Sequence, residues 1–184
     1  MRKGPPSLLP LTATGFFITE SGALVTAWHV LQQRETLSLV VMTRNGAVYP
    51  VNKVLAVDET NDIVIVQVDG TGFNALPLAI TPAPQGTPVW ALSHPLWRYY
   101  TLTSGNVASY FLARNSRVAR TLMNITADFG NGSSGAPVLN DRGEVVGVAD
   151  MTQGIAADLQ SPGAQTQMVM KVCVPCQEIR KLVN

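Results

Sequence analysis

The chain has 184 residues, 46% of them hydrophobic and only 14% charged, with a formal net charge of +1. This composition describes a globular protein with a packed core, not a disordered one. The near-neutral balance leaves no electrostatic footprint for nucleic acid or an acidic membrane surface.

The N-terminus reads Met1-Arg2-Lys3-Gly4-Pro5-Pro6, a basic start with no apolar stretch or small-residue cleavage site behind it, so no secretion signal is legible. No apolar run is long enough to span a bilayer. Neither feature assigns a compartment, and nothing in the sequence sets an oligomeric state.

Short β-type runs separated by Gly, Asn, Asp and Pro clusters then predict an all-β barrel or sandwich. Strands are expected at 16–19, 23–26, 36–42, 48–57, 63–68 and 76–79. Arg44-Asn45-Gly46-Ala47 predicts a hairpin, because Asn-Gly tolerates the positive φ angles of a type I′ turn. Pro77, Pro82, Pro84 and Pro88 follow; proline lacks a donor and fixes φ, so this stretch reads as a crossing between two halves. Second-half strands are expected at 88–92, 99–113, 118–127, 136–139, 144–151 and 167–172, with a tight turn at 140–143. Pro175 opens a short C-terminal helix over 175–182, with Ile179 and Leu182 on one face.

Three polar residues stand against this apolar background. His29 ends a Thr-Ala-Trp-His sequence just past the run 23–27. Asp62 directly precedes the β-branched run 63–66. Ser134 lies in Gly130-Asn131-Gly132-Ser133-Ser134-Gly135-Ala136-Pro137, where glycines on either side let the backbone turn and leave a hydroxyl exposed. A serine alone is a weak nucleophile and needs a base, itself oriented by a third group. An imidazole and a carboxylate are the residue types for those two roles. The second histidine, in Ser93-His94-Pro95, lacks the Thr-Ala context and reads as structural or cleft-lining.

These motifs, in the order His29, Asp62, Ser134, resemble the trypsin/chymotrypsin-like serine peptidases and, within them, the compact bacterial HtrA-type branch, from Thr14 to about Leu182. The resemblance implies two packed six-stranded antiparallel barrels with a short C-terminal helix. It implies one peptidase domain over 1–184, with barrels at about 11–80 and 86–172 and the helix at 175–182. The implied activity is that of a serine endopeptidase acting on a polypeptide through an acyl-enzyme, with no cofactor. Ser134 would be the nucleophile, His29 the base and Asp62 its orienting acid, with the N–H groups of Gly132 and Ser134 forming an oxyanion hole. Two further readings share the fold: a silent binding or scaffold protein, and an esterase using the same triad. No PDZ-like stretch follows the helix, so the regulatory module of the HtrA kind is expected to be absent.

Two departures bear on regulation and specificity. Ser133 stands where the secreted trypsin branch has an aspartate that receives a new N-terminal amine, so activation by that route is not expected. Asp128, six residues before Ser134, stands where trypsin-like enzymes place the acid of the specificity pocket, which implies a preference for Arg or Lys. Asp150, Met151 and Thr152 are expected to line the substrate groove, and 155–166 to form a mobile loop beside it. Cys173 and Cys176 form a C-x-x-C without the βαβ context of a redox motif. A zinc site would need two ligands besides these thiols, and the only histidines are His29 and His94, so both thiols read as partly buried hydrophobes at the strand–helix junction.

Overall fold

The computed structural model describes residues 12–32, 39–114, 119–156 and 166–183. The chain is mostly β, arranged as two sheets with one short helix at the end, as expected. The first sheet is antiparallel and runs β1 (Phe16–Phe17), β2 (Ala23–Ala27), β5 (Ile63–Val68), β4 (Val48–Asp58), β3 (Val40–Met42) across its width. A one-turn helix, α1 (His29–Gln32), follows β2. The second half closes into a six-stranded barrel in the order β10 (Val145–Ala156), β11 (Thr166–Pro175), β8 (Ala119–Ile125), β7 (Thr101–Arg114), β6 (Pro88–Ser93), β9 (Pro137–Leu139). The helix α2 (Cys176–Val183) follows β11 directly. The first sheet has five strands among the described residues; the early part of the strand expected at 36–42 lies outside them, as does most of the loop expected at 155–166.

The burial pattern explains the strand sequences. Ile63, Val64, Ile65 and Val66 on β5 are all buried, so this central strand reads as an unbroken apolar run. Alternation sends Ile63 and Ile65 to the interface with the barrel, where they meet Val145, Val148, Val174 and Ile179. Val64 and Val66 face the other way, toward Leu24 and Phe73. A third cluster fills the barrel with Val89, Val107, Met123, Val138, Val146 and Cys173. Ile179 of α2 is fully buried in the interface cluster, so the terminal helix seals the seam between the halves.

Three local expectations need correction. The β3–β4 hairpin forms, pairing Met42 with Val48, but its turn is not type I′. Only Gly46 takes positive φ (82°), while the Asn45 Oδ1 accepts from the Ala47 N–H and keeps Asn45 out of that region. The segment at 76–79 is no strand of the first sheet alone but ties the two halves: the Leu76 N–H donates to the Phe17 carbonyl of β1 at 2.8 Å, and Leu78 forms a parallel bridge with Val145. The two thiols are fully buried, and on different sides: Cys173 in the barrel core, Cys176 in the interface. Burial pushes the Cys173 thiol well up and Cys176 to about 11, so neither carries thiolate near neutrality.

Candidate active site

His29 opens α1 just after β2, and Asp62 sits at the entrance to β5; β2 and β5 pair directly through the register Ala27–Ile63. That pairing carries the two residues to one end of the sheet. The Asp62 carboxylate then grips the helix start twice: Oδ2 lies 2.5 Å from His29 Nδ1, and Oδ1 accepts from the His29 backbone N–H at 2.7 Å. The Asp62 carbonyl also accepts from the Trp28 N–H at 3.0 Å. Asp62 has φ of +56°, a left-handed geometry that aspartate tolerates better than a branched residue. With Nδ1 committed to the carboxylate, the neutral ring carries its proton there and leaves Nε2 as an acceptor.

Ser134 comes from the other half, in the turn before β9. It faces the same cleft, of about 590 Å³, that His29 and Asp62 line. Its hydroxyl makes a long hydrogen bond of 3.4 Å to the Asp150 carbonyl and none to His29 among the described residues. The turn is fixed on both sides. The Thr14 N–H donates to the Ser134 carbonyl at 3.0 Å, the Thr14 hydroxyl donates to the Gly132 carbonyl at 2.8 Å, and the Leu96 N–H donates to Asn131 at 2.9 Å. Gly132 has φ of +94°, and a β-carbon there would stand 2.6 Å from the His94 carbonyl oxygen. Only glycine fits both conditions. The N–H groups of Gly132 and Ser134 donate no hydrogen bond among the described residues, while that of Ser133 between them closes a turn onto Gly130 at 2.9 Å.

The groove residues divide. Asp150, Met151 and Thr152, on β10, line the cleft. Asp150 is 8% exposed, and its carboxylate pairs with Arg120 at 3.2 Å. Burial is the largest influence on this carboxyl and pushes it above the ordinary aspartate value, opposed chiefly by the Arg120 charge. Asp128 does not line the cleft. Its neighbours Ala127 and Phe129 are buried in the barrel core, while Asp128 between them is 78% exposed and pairs with Lys171 at 2.6 Å. The expected specificity-pocket acid is therefore not available there. His94 stands away from this cleft: its Nδ1 accepts from the Tyr100 N–H at 2.9 Å, and its ring meets Tyr99 and Tyr100 edge-on. Glu59, Thr60 and Arg120 line the cleft too, and sequence reasoning singled out none of them; Arg120 is the one of these that pairs with Asp150. It belongs to no motif, and it meets Asp150 because β8 and β10 both flank β11.

A sequence model of the family described as the trypsin-like peptidase domain matches residues 13–148, which hold His29, Asp62 and Ser134. The chain belongs to the trypsin-like peptidase family. Among relatives, it is 32% identical over 160 residues to the uncharacterized protein y4bJ of Sinorhizobium fredii, covering 85% of this chain and 24% of that protein. It is 30% identical over 159 residues to the mitochondrial serine protease HTRA2 of Drosophila grimshawi, covering 80% of this chain and 37% of that protein. The chain thus spans well under half the length of these relatives. In fold it is similar to the inactive, Ser343Ala form of Rv3671c from M. tuberculosis, with a TM-score of 0.72 and 21% identity over 93% of this chain and 79% of that one. The serine endoprotease of Yersinia pestis gives a TM-score of 0.72 at 21% identity, covering 96% of this chain and 60% of that one. The trypsin-like peptidase fold is thereby shared with HtrA-type relatives, as the order of the three motifs implied.

Proposed function

We propose that this chain is a serine endopeptidase in which His29, Asp62 and Ser134 form the catalytic triad. The observation that carries the reading is the double grip of Asp62 on His29, opposite a serine in the same cleft. A carboxylate bonded to Nδ1 fixes the tautomer whose Nε2 can accept a proton. Ser134 swings about its Cα–Cβ bond from the Asp150 carbonyl toward His29; such bonds are often loose before substrate binds.

The Ser134 oxygen then attacks the scissile carbonyl carbon while His29 takes the hydroxyl proton. Negative charge gathers on the carbonyl oxygen, where the N–H groups of Gly132 and Ser134 meet it. The imidazolium, stabilised by Asp62, gives its proton to the leaving amine, and the C–N bond breaks to leave an ester on Ser134. Water, activated by His29, hydrolyses that ester and restores the hydroxyl. No cofactor enters any step, and the whole chain is proposed to work as one peptidase domain.

The test is turnover of a mixed peptide substrate followed by mass spectrometry of the fragments. Wild-type protein is expected to cleave internal peptide bonds, and Ser134→Ala to lose about 10⁴-fold or more in kcat. Hydrolysis of small esters with intact peptides would move the assignment to an esterase, and inertness toward both would leave a binding protein on a peptidase fold.

A further inference from the structure

Arg120 and Asp150 have no place in the triad, yet they occupy the wall of the same cleft. Their side chains are 19% and 5% exposed, so the pair is far more desolvated than a surface ion pair. Each also reaches a second part of the site. The Asp150 carbonyl accepts from the Ser134 hydroxyl. The other end of the Arg120 guanidinium donates to the Thr60 carbonyl at 3.4 Å, two residues before Asp62 and in the opposite half of the molecule. The Arg120 side chain thus reaches the acid side of the cleft, while the backbone of Asp150 touches the serine side.

We infer that Arg120 and Asp150 are positioning residues that tune His29: the arginine cancels the charge of a second carboxylate beside the imidazole, so that Asp62 alone acts as its counter-ion. The inference rests on the triad reading above. Its physical basis is the set of charges around the Asp150 carboxyl. Arg120 pairs with it from β8, and Asp62 from the turn before β5 and His29 from α1 line the same cleft, near enough for their charges to act on it. Glu59 lines the same cleft from the turn that holds Thr60 and adds a further acid. An arginine stays charged at any working pH. Removing the Asp150 charge therefore leaves an uncancelled cation next to the base, which disfavours imidazolium. Removing the Arg120 charge leaves an uncancelled anion, which favours it.

The experiment measures the rate at which a fluorophosphonate inactivates the protein, as a function of pH, for wild type, Asp150→Asn, Arg120→Gln and the double variant. His29 must be neutral to activate Ser134, so the acid limb of each profile reports its protonation. The midpoint of that limb is expected to fall by about half a pH unit or more in Asp150→Asn and to rise in Arg120→Gln. The double variant, with neither charge, is expected to return close to wild type. Either single variant tests the idea if the other fails to fold. One common midpoint in all folded variants, or the reverse order, would overturn it. A wild-type protein that never reacts with the probe would instead overturn the triad reading on which the inference rests.

Discussion

Gly132 shows how little freedom the residue scale leaves at this site. Its left-handed φ and the His94 carbonyl oxygen, 2.6 Å from where a β-carbon would stand, both exclude a side chain. Backbone forced into such a region costs about 1–3 kcal/mol. In Gly132→Ala the strain is relieved by rotating the peptide, which takes the Gly132 N–H out of line with the developing oxyanion. The variant is expected to melt a few degrees lower and to lose about 100-fold in kcat, with KM little changed. Wild-type kcat in a folded Gly132→Ala protein would mean that this N–H is not a donor in the reaction. The residues proposed for the triad each carry local context in the sequence: the Thr-Ala before His29, the apolar run after Asp62, the glycines around Ser134. Arg120 carries none. Its partner Asp150 is 30 residues away, and the two meet only because β8 and β10 both flank β11 in the closed barrel.

At the scale of elements, the connection between β6 and β7 matters most, because its carbonyl oxygen at His94 packs on Gly132. It holds Leu96, Trp97 and Tyr100 at positive φ, and it is fastened by the Tyr100 N–H donating to His94 Nδ1. That bond needs an unprotonated nitrogen. Burial holds the His94 imidazole below its ordinary value of 6.5, so the folded chain binds fewer protons than the unfolded chain once pH falls below that value. Stability from this residue is present above the unfolded value and is lost as pH falls through the folded one. Replacing His94 with Gln keeps a carbonyl acceptor without a titrating group. Denaturant unfolding is expected to show wild-type stability declining between about pH 7 and pH 5 more steeply than that of His94→Gln. Equal slopes would show that His94 does not couple this connection to pH.

Elements with strong internal pattern were the legible ones. The apolar run of β5 matches its expected range, and the terminal helix is shifted by one residue, with Pro175 ending β11 and Cys176 opening α2. Asp128 was misread because its distance from Ser134 along the chain says nothing of its side. The inward turn of Ala127 and Phe129 decides that, and it depends on the barrel core they join.

For the whole molecule, the cleft is a property of neither half. The first sheet supplies His29 and Asp62, the barrel supplies Ser134, and the buried seam of Ile63, Ile65, Val145, Val148 and Ile179 fixes one against the other. This assembly is what the proposed chemistry requires, since an imidazole held by Asp62 acts only if the serine arrives from the opposite side. Long-range placement of this kind is invisible in any one segment of sequence, although the order of the three motifs pointed to it. The most direct measurement is the intact mass of the protein after treatment with a fluorophosphonate, followed by peptide mapping. The account predicts a single adduct on Ser134, absent in Ser134→Ala and formed at least 100-fold more slowly in His29→Ala. Wild-type protein that stays unlabelled, or an adduct on another serine that persists in Ser134→Ala, would contradict it.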